Sequence, residues 1–171
     1  ATVIVIARDK AKGVELIADL KKTKAKALGK IEIIEGNLSS LKSVASACQE
    51  VRAKYPKLDI LVHNAGIMNF SPIQTEDGIE ETLQVNLLAP LLITHLLVDL
   101  LKDTTQAKII FTSSGLHQGE INFENLEFKN NFVSFKVYRQ SKLGVILLCR
   151  LLAKQLNGIG VYCQHPGMVR T

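Results

Sequence analysis

Residues 1–36 read ATVIVIARDKAKGVELIADLKKTKAKALGKIEIIEG, and their reading decides the fold. ATVIVIA (1–7) is short, apolar and β-branched, the composition of a strand buried on both faces. KAKGVELIADLKK (10–22) then spaces its apolar residues as a helix does. KIEIIEG (30–36) returns to strand. Two apolar strands joined by a helix make a parallel βαβ unit, because a hairpin leaves no room for the helix.

The same alternation runs outward through the chain. LSSLKSVASACQEVRAKY (38–55) predicts a helix, with Ser39 or Ser40 as its N-cap. LDILVHNAG (58–66) is a strand running into a glycine turn. TEDGIEETLQVNLLAPLLITHLLVDLLK (75–102) predicts one long helix capped by Thr75. AKIIFTSSG (107–115) is a strand, followed by a polar loop of about twenty residues and a helix around VYRQSKLG (137–144). GIGVYCQHPG (158–167) is the last strand. The pattern specifies an α/β fold, a doubly wound parallel sheet of Rossmann-like type, as one domain over residues 1–171. Ligands of such sheets sit at the carboxyl ends of the strands. Arg8, Asn37, Asn64, Gly66, Ser113, Ser114, Pro166 and Gly167 all fall at those ends.

Composition narrows the classes. The chain has 171 residues, 47% hydrophobic and 22% charged, as an ordinary globular domain does. The net charge is +5, yet the densest basic run, KKTKAKALGK (21–30), has no aromatic residue interleaved for base stacking, so nucleic-acid binding is not expected. Cys48, Cys149 and Cys163 form no CxxC pair and read as reduced thiols in a cytoplasmic protein. No secretory signal opens the chain, and the most membrane-like run, 85–102, is interrupted by Asn86, Pro90, His95 and Asp99. The histidines lack metal-ligand spacing, so no metal site is expected.

Tyr138 and Lys142 stand four residues apart, on one face of their helix. Taken alone, the pair reads as a half-buried ring beside a snorkelling lysine. A phenol near a cation in a dry site can instead exchange a proton at neutral pH. Taken alone, Ser113–Ser114 is a strand-end cap, and Asn86 is a helix-interior residue that needs polar partners. SSG (113–115) lacks the G-x-S-x-G elbow of a serine hydrolase.

HNAG (63–66), QVNLL (84–88), FTSSG (111–115), YRQSK (138–142) and HPGMVRT (165–171), in that order, resemble the short-chain dehydrogenase/reductase family. The long interval before Tyr138 is similar to the branch of retinol dehydrogenases and related carbonyl reductases. The resemblance implies an oxidoreductase moving hydride between NADP(H) and an alcohol/carbonyl pair. Its catalytic residues would be Asn86, Ser114, Tyr138 and Lys142. Tyr138 is then the general acid/base, Lys142 eases its ionisation and bonds the nicotinamide ribose, Ser114 polarises the substrate oxygen, and Asn86 holds a water leading to Lys142. The cofactor-binding set it implies is Arg8, Asn37, Leu38, Asn64, Ala65, Gly66, Tyr138, Lys142, Pro166, Gly167, Val169 and Thr171.

NADP(H) is favoured over NAD(H). Ala7 occupies the place where such folds carry an acid for the ribose 2′-hydroxyl, and Arg8 follows it. A surface ion pair with Asp9 is the bland alternative for Arg8. His63 stands where the family has Asn and reads as a structural histidine. Phe123, Phe128, Phe132 and Phe135 lie in or beside the long loop and either line an apolar substrate pocket or pack the loop. The resemblance also implies a homo-oligomer, through the long apolar helix and the Tyr138 helix. The alternative from another class is a catalytically silent nucleotide-binding or scaffold protein on the same fold.

The family's glycine-rich phosphate loop does not occur in these residues. The resemblance therefore implies that Ala1 opens the second strand of a longer protein, and that the chain alone is poorly active. The first strand would lie between ATVIVIA and LDILVHN, so both should carry unpaired edges.

Overall fold

A computed structural model describes residues 1–24 and 29–167, with side chains for 1–22 and 29–167. Val169 and Thr171 of the expected cofactor set lie outside the described residues. The elements follow the anticipated order. Strand β1 (Thr2–Ala7) leads through helix α1 (Lys10–Lys24) to β2 (Lys30–Glu35), and α2 (Leu41–Lys54) leads to β3 (Ile60–His63). A helical rod follows, made of α3 (Glu81–Leu83), a π-helical turn (Gln84–Leu88), α4 (Ala89–Leu97) and α5 (Asp99–Lys102). Then come β4 (Lys108–Thr112), a 3₁₀ turn (Phe123–Asn125), α6 (Ser134–Gln155) and β5 (Gly160–Gln164).

All strand pairs are parallel. β1 pairs with β2 from Thr2↔Lys30 to Ala7↔Glu35. β4 sits between β3 and β5, with Phe111 opposite both His63 and Cys163. Successive strand residues face opposite ways, so neighbours on β2 meet different helices. Ile33 packs beneath Gly13 of α1, while Ile34 is buried with Val44, Ala47, Cys48 and Val51 of α2 and Ala89, Ile93 and Leu97 of α4. A second core gathers Ile109 and Phe111 of β4 with Val145, Leu148, Cys149 and Leu152 of α6 and Leu101 of α5.

Among the described residues, β1 pairs only with β2, and β3 only with β4. The facing edges border a groove of about 810 Å³ whose walls include Val3, Val5, Ile60, Val62, Leu38 and Pro90. This matches the unpaired edges expected from the sequence.

Two local expectations meet the structure differently. Ser40 caps α2, its Oγ accepting the Ser43 N–H at 3.2 Å, which decides between the two serines. Thr75 is not a helix cap. Residues 75–80 form a turn closed by a Gln74↔Glu80 bridge, and Glu80 caps α3 by accepting the Leu83 N–H at 2.7 Å. The reason lies in Gly78, whose φ of +77° breaks the helix that the surrounding residues would otherwise continue. Thr75 Oγ1 donates to Gln84 Oε1 at 2.7 Å instead.

Candidate active site

Lys142 is the centre of the site. It lies on α6, is only 4% exposed, and donates from Nζ to the Thr112 carbonyl at 3.0 Å. That carbonyl is the last of β4, so the strand's end fixes the ammonium. Burial pulls the Lys142 pKa below the ordinary lysine value, and the nearby Cys163 opposes this. The Lys142 Nζ lies 5.8 Å from the Tyr138 ring centroid. The two side chains therefore share a face, as their spacing requires.

Asn86 sits in the π turn, 2% exposed. A π turn inserts a residue into the helical ladder and so redirects one side chain. Here both amide protons and one lone pair of the oxygen are engaged. Its Nδ2 donates to Ile67 O and to Ser141 Oγ, both at 2.9 Å, and its Oδ1 accepts the Ile67 N–H at 2.8 Å. Asn86 thus clamps the backbone just after HNAG to α6. It shows no bond to Lys142, but both side chains flank Gly66. A Cβ on Gly66 would lie 2.9 Å from Lys142 Nζ and 3.4 Å from Asn86 Oδ1, so only glycine fits without displacing the ammonium.

The two serines divide clearly. Ser113 is 5% exposed and its Oγ donates to the Lys142 carbonyl at 2.9 Å, tying β4 to α6. Ser114 is half-buried, with an Oγ that accepts the Leu116 N–H at 3.1 Å and keeps its own proton for another acceptor. His165 Nδ1 accepts the Gly115 N–H at 3.0 Å, joining the ends of β4 and β5 beside Pro166 and Gly167, which are exposed.

The remaining expected residues line the strand ends. Asn64, Ala65 and Gly66 are exposed after β3, and Asn64 Oδ1 accepts from Thr112 Oγ1 at 3.3 Å. Leu38 borders the groove with Asn64 and Ala65. Asn37 is exposed, and its Oδ1 already accepts the Ser39 N–H at 3.0 Å, which leaves one lone pair for a ligand amine. Arg8 is exposed at the end of β1 and forms no ion pair with Asp9; Asp9 instead accepts the Lys12 N–H at the start of α1. His63 is buried, bonds Thr94 Oγ1 at 2.8 Å and stacks on Phe111 at 4.7 Å. It is structural, as the sequence suggested.

Several supports escaped the sequence. Gln140, 5% exposed, accepts the Asn122 N–H at 2.7 Å and donates to Leu126 O at 2.9 Å. Arg139 Nε donates to Gln118 O at 2.7 Å. Together they hold the long loop on the helix that carries Tyr138. Ser134 Oγ donates to the Asn69 carbonyl. The signal available for these residues was position alone, since they flank Tyr138 on α6.

A nicotinamide dinucleotide fits what these residues offer. Exposed backbone at the ends of β3 and β5 leaves open approach, and Lys142 keeps N–H donors beyond the one spent on Thr112 for ribose hydroxyls. Among the described residues no group of three His, Cys, Asp or Glu side chains is placed to hold a metal. No helix among them is long and apolar enough to cross a membrane.

A parallel α/β arrangement that sets the half-buried Tyr138 beside the buried Lys142 at its strand ends points to the dinucleotide-binding class. The chain belongs to the short-chain dehydrogenase family, whose model matches residues 1–171. Retinol dehydrogenase 14 of Mus musculus is 38% identical over 182 residues, covering 100% of this chain and 54% of that protein. Retinol dehydrogenase 13 of Mus musculus is 40% identical over 139 residues, 79% of this chain and 42% of its own length. The chain thus spans about half the length of the curated relatives it matches. A short-chain dehydrogenase from Shigella flexneri shares the fold at TM-score 0.77 and 22% identity, covering 100% of this chain and 64% of that one. A metagenomic short-chain oxidoreductase in complex with NADP aligns at TM-score 0.72 and 25% identity, over 98% and 72%.

Proposed function

We propose that the protein carrying this chain is an NADP(H)-dependent oxidoreductase that interconverts an apolar alcohol and its aldehyde or ketone. The observation that carries the reading is the buried Lys142 ammonium held against the Tyr138 ring at the end of β4. A bound nicotinamide supplies or takes up the hydride. Ser114 Oγ orients the substrate oxygen. Tyr138 gives its proton to a carbonyl oxygen during reduction and takes one from the alcohol during oxidation. Lys142 stabilises the phenolate that results, and the dry surroundings strengthen the attraction. Asn86 keeps the backbone after HNAG fixed against α6, so the cofactor edge and Tyr138 stay in register.

The 2′-phosphate preference is supported by Arg8, which is exposed at the end of β1, and by the engagement of Asp9 with the start of α1. One similar structure holds NADP. The apolar substrate is supported by the retinol dehydrogenase names of the relatives and by exposed rings at the loop edges, Phe70 and Phe123. The free thiols suit a cytoplasmic setting.

The decisive experiment follows NADPH oxidation with all-trans-retinaldehyde by absorbance. Tyr138→Phe lowers kcat by at least about 10²-fold, the lower end for general acid–base groups, while NADPH affinity stays within about twofold. Retained turnover removes Tyr138 from the chemistry.

A further inference from the structure

One side chain touches both the loop after β2 and the loop after β3. Glu81, the first residue of α3, receives the Ser39 hydroxyl at Oε1 and the Asn69 amide at Oε2, each at 2.8 Å. Ser39 follows Asn37 and Leu38 of the proposed cofactor site, and its own N–H bonds Asn37 Oδ1. Asn69 lies three residues beyond Gly66, and its carbonyl accepts from Ser134 Oγ. Ser134 and Tyr138 are four residues apart on α6 and so share a face. The Asn69 loop therefore runs beside the face that presents Tyr138. Three half-buried groups, Ser39, Glu81 and Asn69, thereby join the loop after β2 to the loop that runs beside Tyr138.

From this geometry we infer that Glu81 is a positioning residue, fixing the spacing between the cofactor loop at Asn37–Ser39 and the loop at Asn69 beside the Tyr138 face, where the substrate would meet Tyr138. The inference rests on the oxidoreductase reading above. A carboxylate suits the task because its two oxygens accept from opposite sides at once. Glutamine can keep the bridge: its oxygen accepts from Asn69 and its amide donates to the Ser39 hydroxyl, which both gives and accepts. Alanine cannot.

The test measures KM for NADPH and for all-trans-retinaldehyde, with kcat, in the protein carrying this chain. Glu81→Ala raises both KM values about fivefold, the equivalent of one hydrogen bond to each loop, and leaves kcat within about twofold. Glu81→Gln stays within about twofold of the parent on all three. Ser39→Ala raises chiefly the NADPH constant, and Asn69→Ala chiefly the aldehyde constant. The inference is overturned if Glu81→Ala leaves both constants unchanged or moves only one, or if Glu81→Gln behaves like Glu81→Ala. Its failure is separable from that of the wider reading. An inactive Tyr138→Phe with a silent Glu81→Ala removes only the bridge, whereas an active Tyr138→Phe removes the redox assignment.

Discussion

The β1–β2 side and the β3–β4–β5 side begin from similar apolar strands and differ in how far their helices bury residues. The central strand β4 buries Ile109 and Phe111 wholly, whereas the unpaired edges leave Val3 and Val5 of β1 50% and 37% exposed and Ile60 and Val62 of β3 51% and 52% exposed. Helix α6 buries nine of its residues, while α1 leaves Val14 and Leu16 more than half exposed. The polar chemistry divides the same way. Lys142, Asn86, Ser113 and Ser141 are buried and mutually braced, while Arg8 and Asn37 stand in the open. The groups proposed to react thus lie in the half whose helix buries more, and those proposed for the nucleotide's far end lie in the more open one.

The sharpest way to break this contrast is a pair of truncations. Phe111→Ala should cost about 3–5 kcal/mol in urea denaturation, because a buried ring leaves a cavity. Val3→Ala should cost about 0.5 kcal/mol or less, as exposed positions do. Equal losses would show that the two halves are equally packed.

A pH series sharpens it further. Burial pushes the His63 pKa down to about 4, from an ordinary 6.5. Between these values the unfolded chain binds a proton that the folded chain refuses. Stability is therefore full above about pH 6.5 and falls as pH drops toward 4, by up to about 3 kcal/mol. His63→Asn should flatten that slope, and an unchanged slope would remove His63 as its source. The ion pairs beside β1, Lys12–Asp9 and Lys22–Asp19, are exposed and should add little.

The smallest effect belongs to the more open half. Arg8→Ala should weaken NADPH binding about tenfold and leave NADH binding and the saturated kcat alone. Equal loss for both nucleotides would deny Arg8 a role at the 2′-phosphate.

What could be read ahead of the structure follows from what each feature needs. The strands themselves were legible because parallel strands are written as continuous apolar runs, as in ATVIVIA and AKIIFTSS. The Tyr138–Lys142 face was legible because helix spacing is fixed. The start of the long rod was not, since TEDGIEE carries helix formers and one glycine's positive φ decided the matter. Nor was the Glu81 bridge, because its partners come from loops 42 and 12 residues away in sequence and no periodicity marks them.

The π-helical turn at Gln84–Leu88 carries one residue more than a regular helix needs. Deleting that surplus would let the ladder close on itself, with the flanking segments still in phase. The healed rod would keep its apolar seam but swing the amide of residue 86 off Ile67. A shortened chain could then melt at a higher temperature and do less chemistry, separating what holds this protein together from what makes it useful.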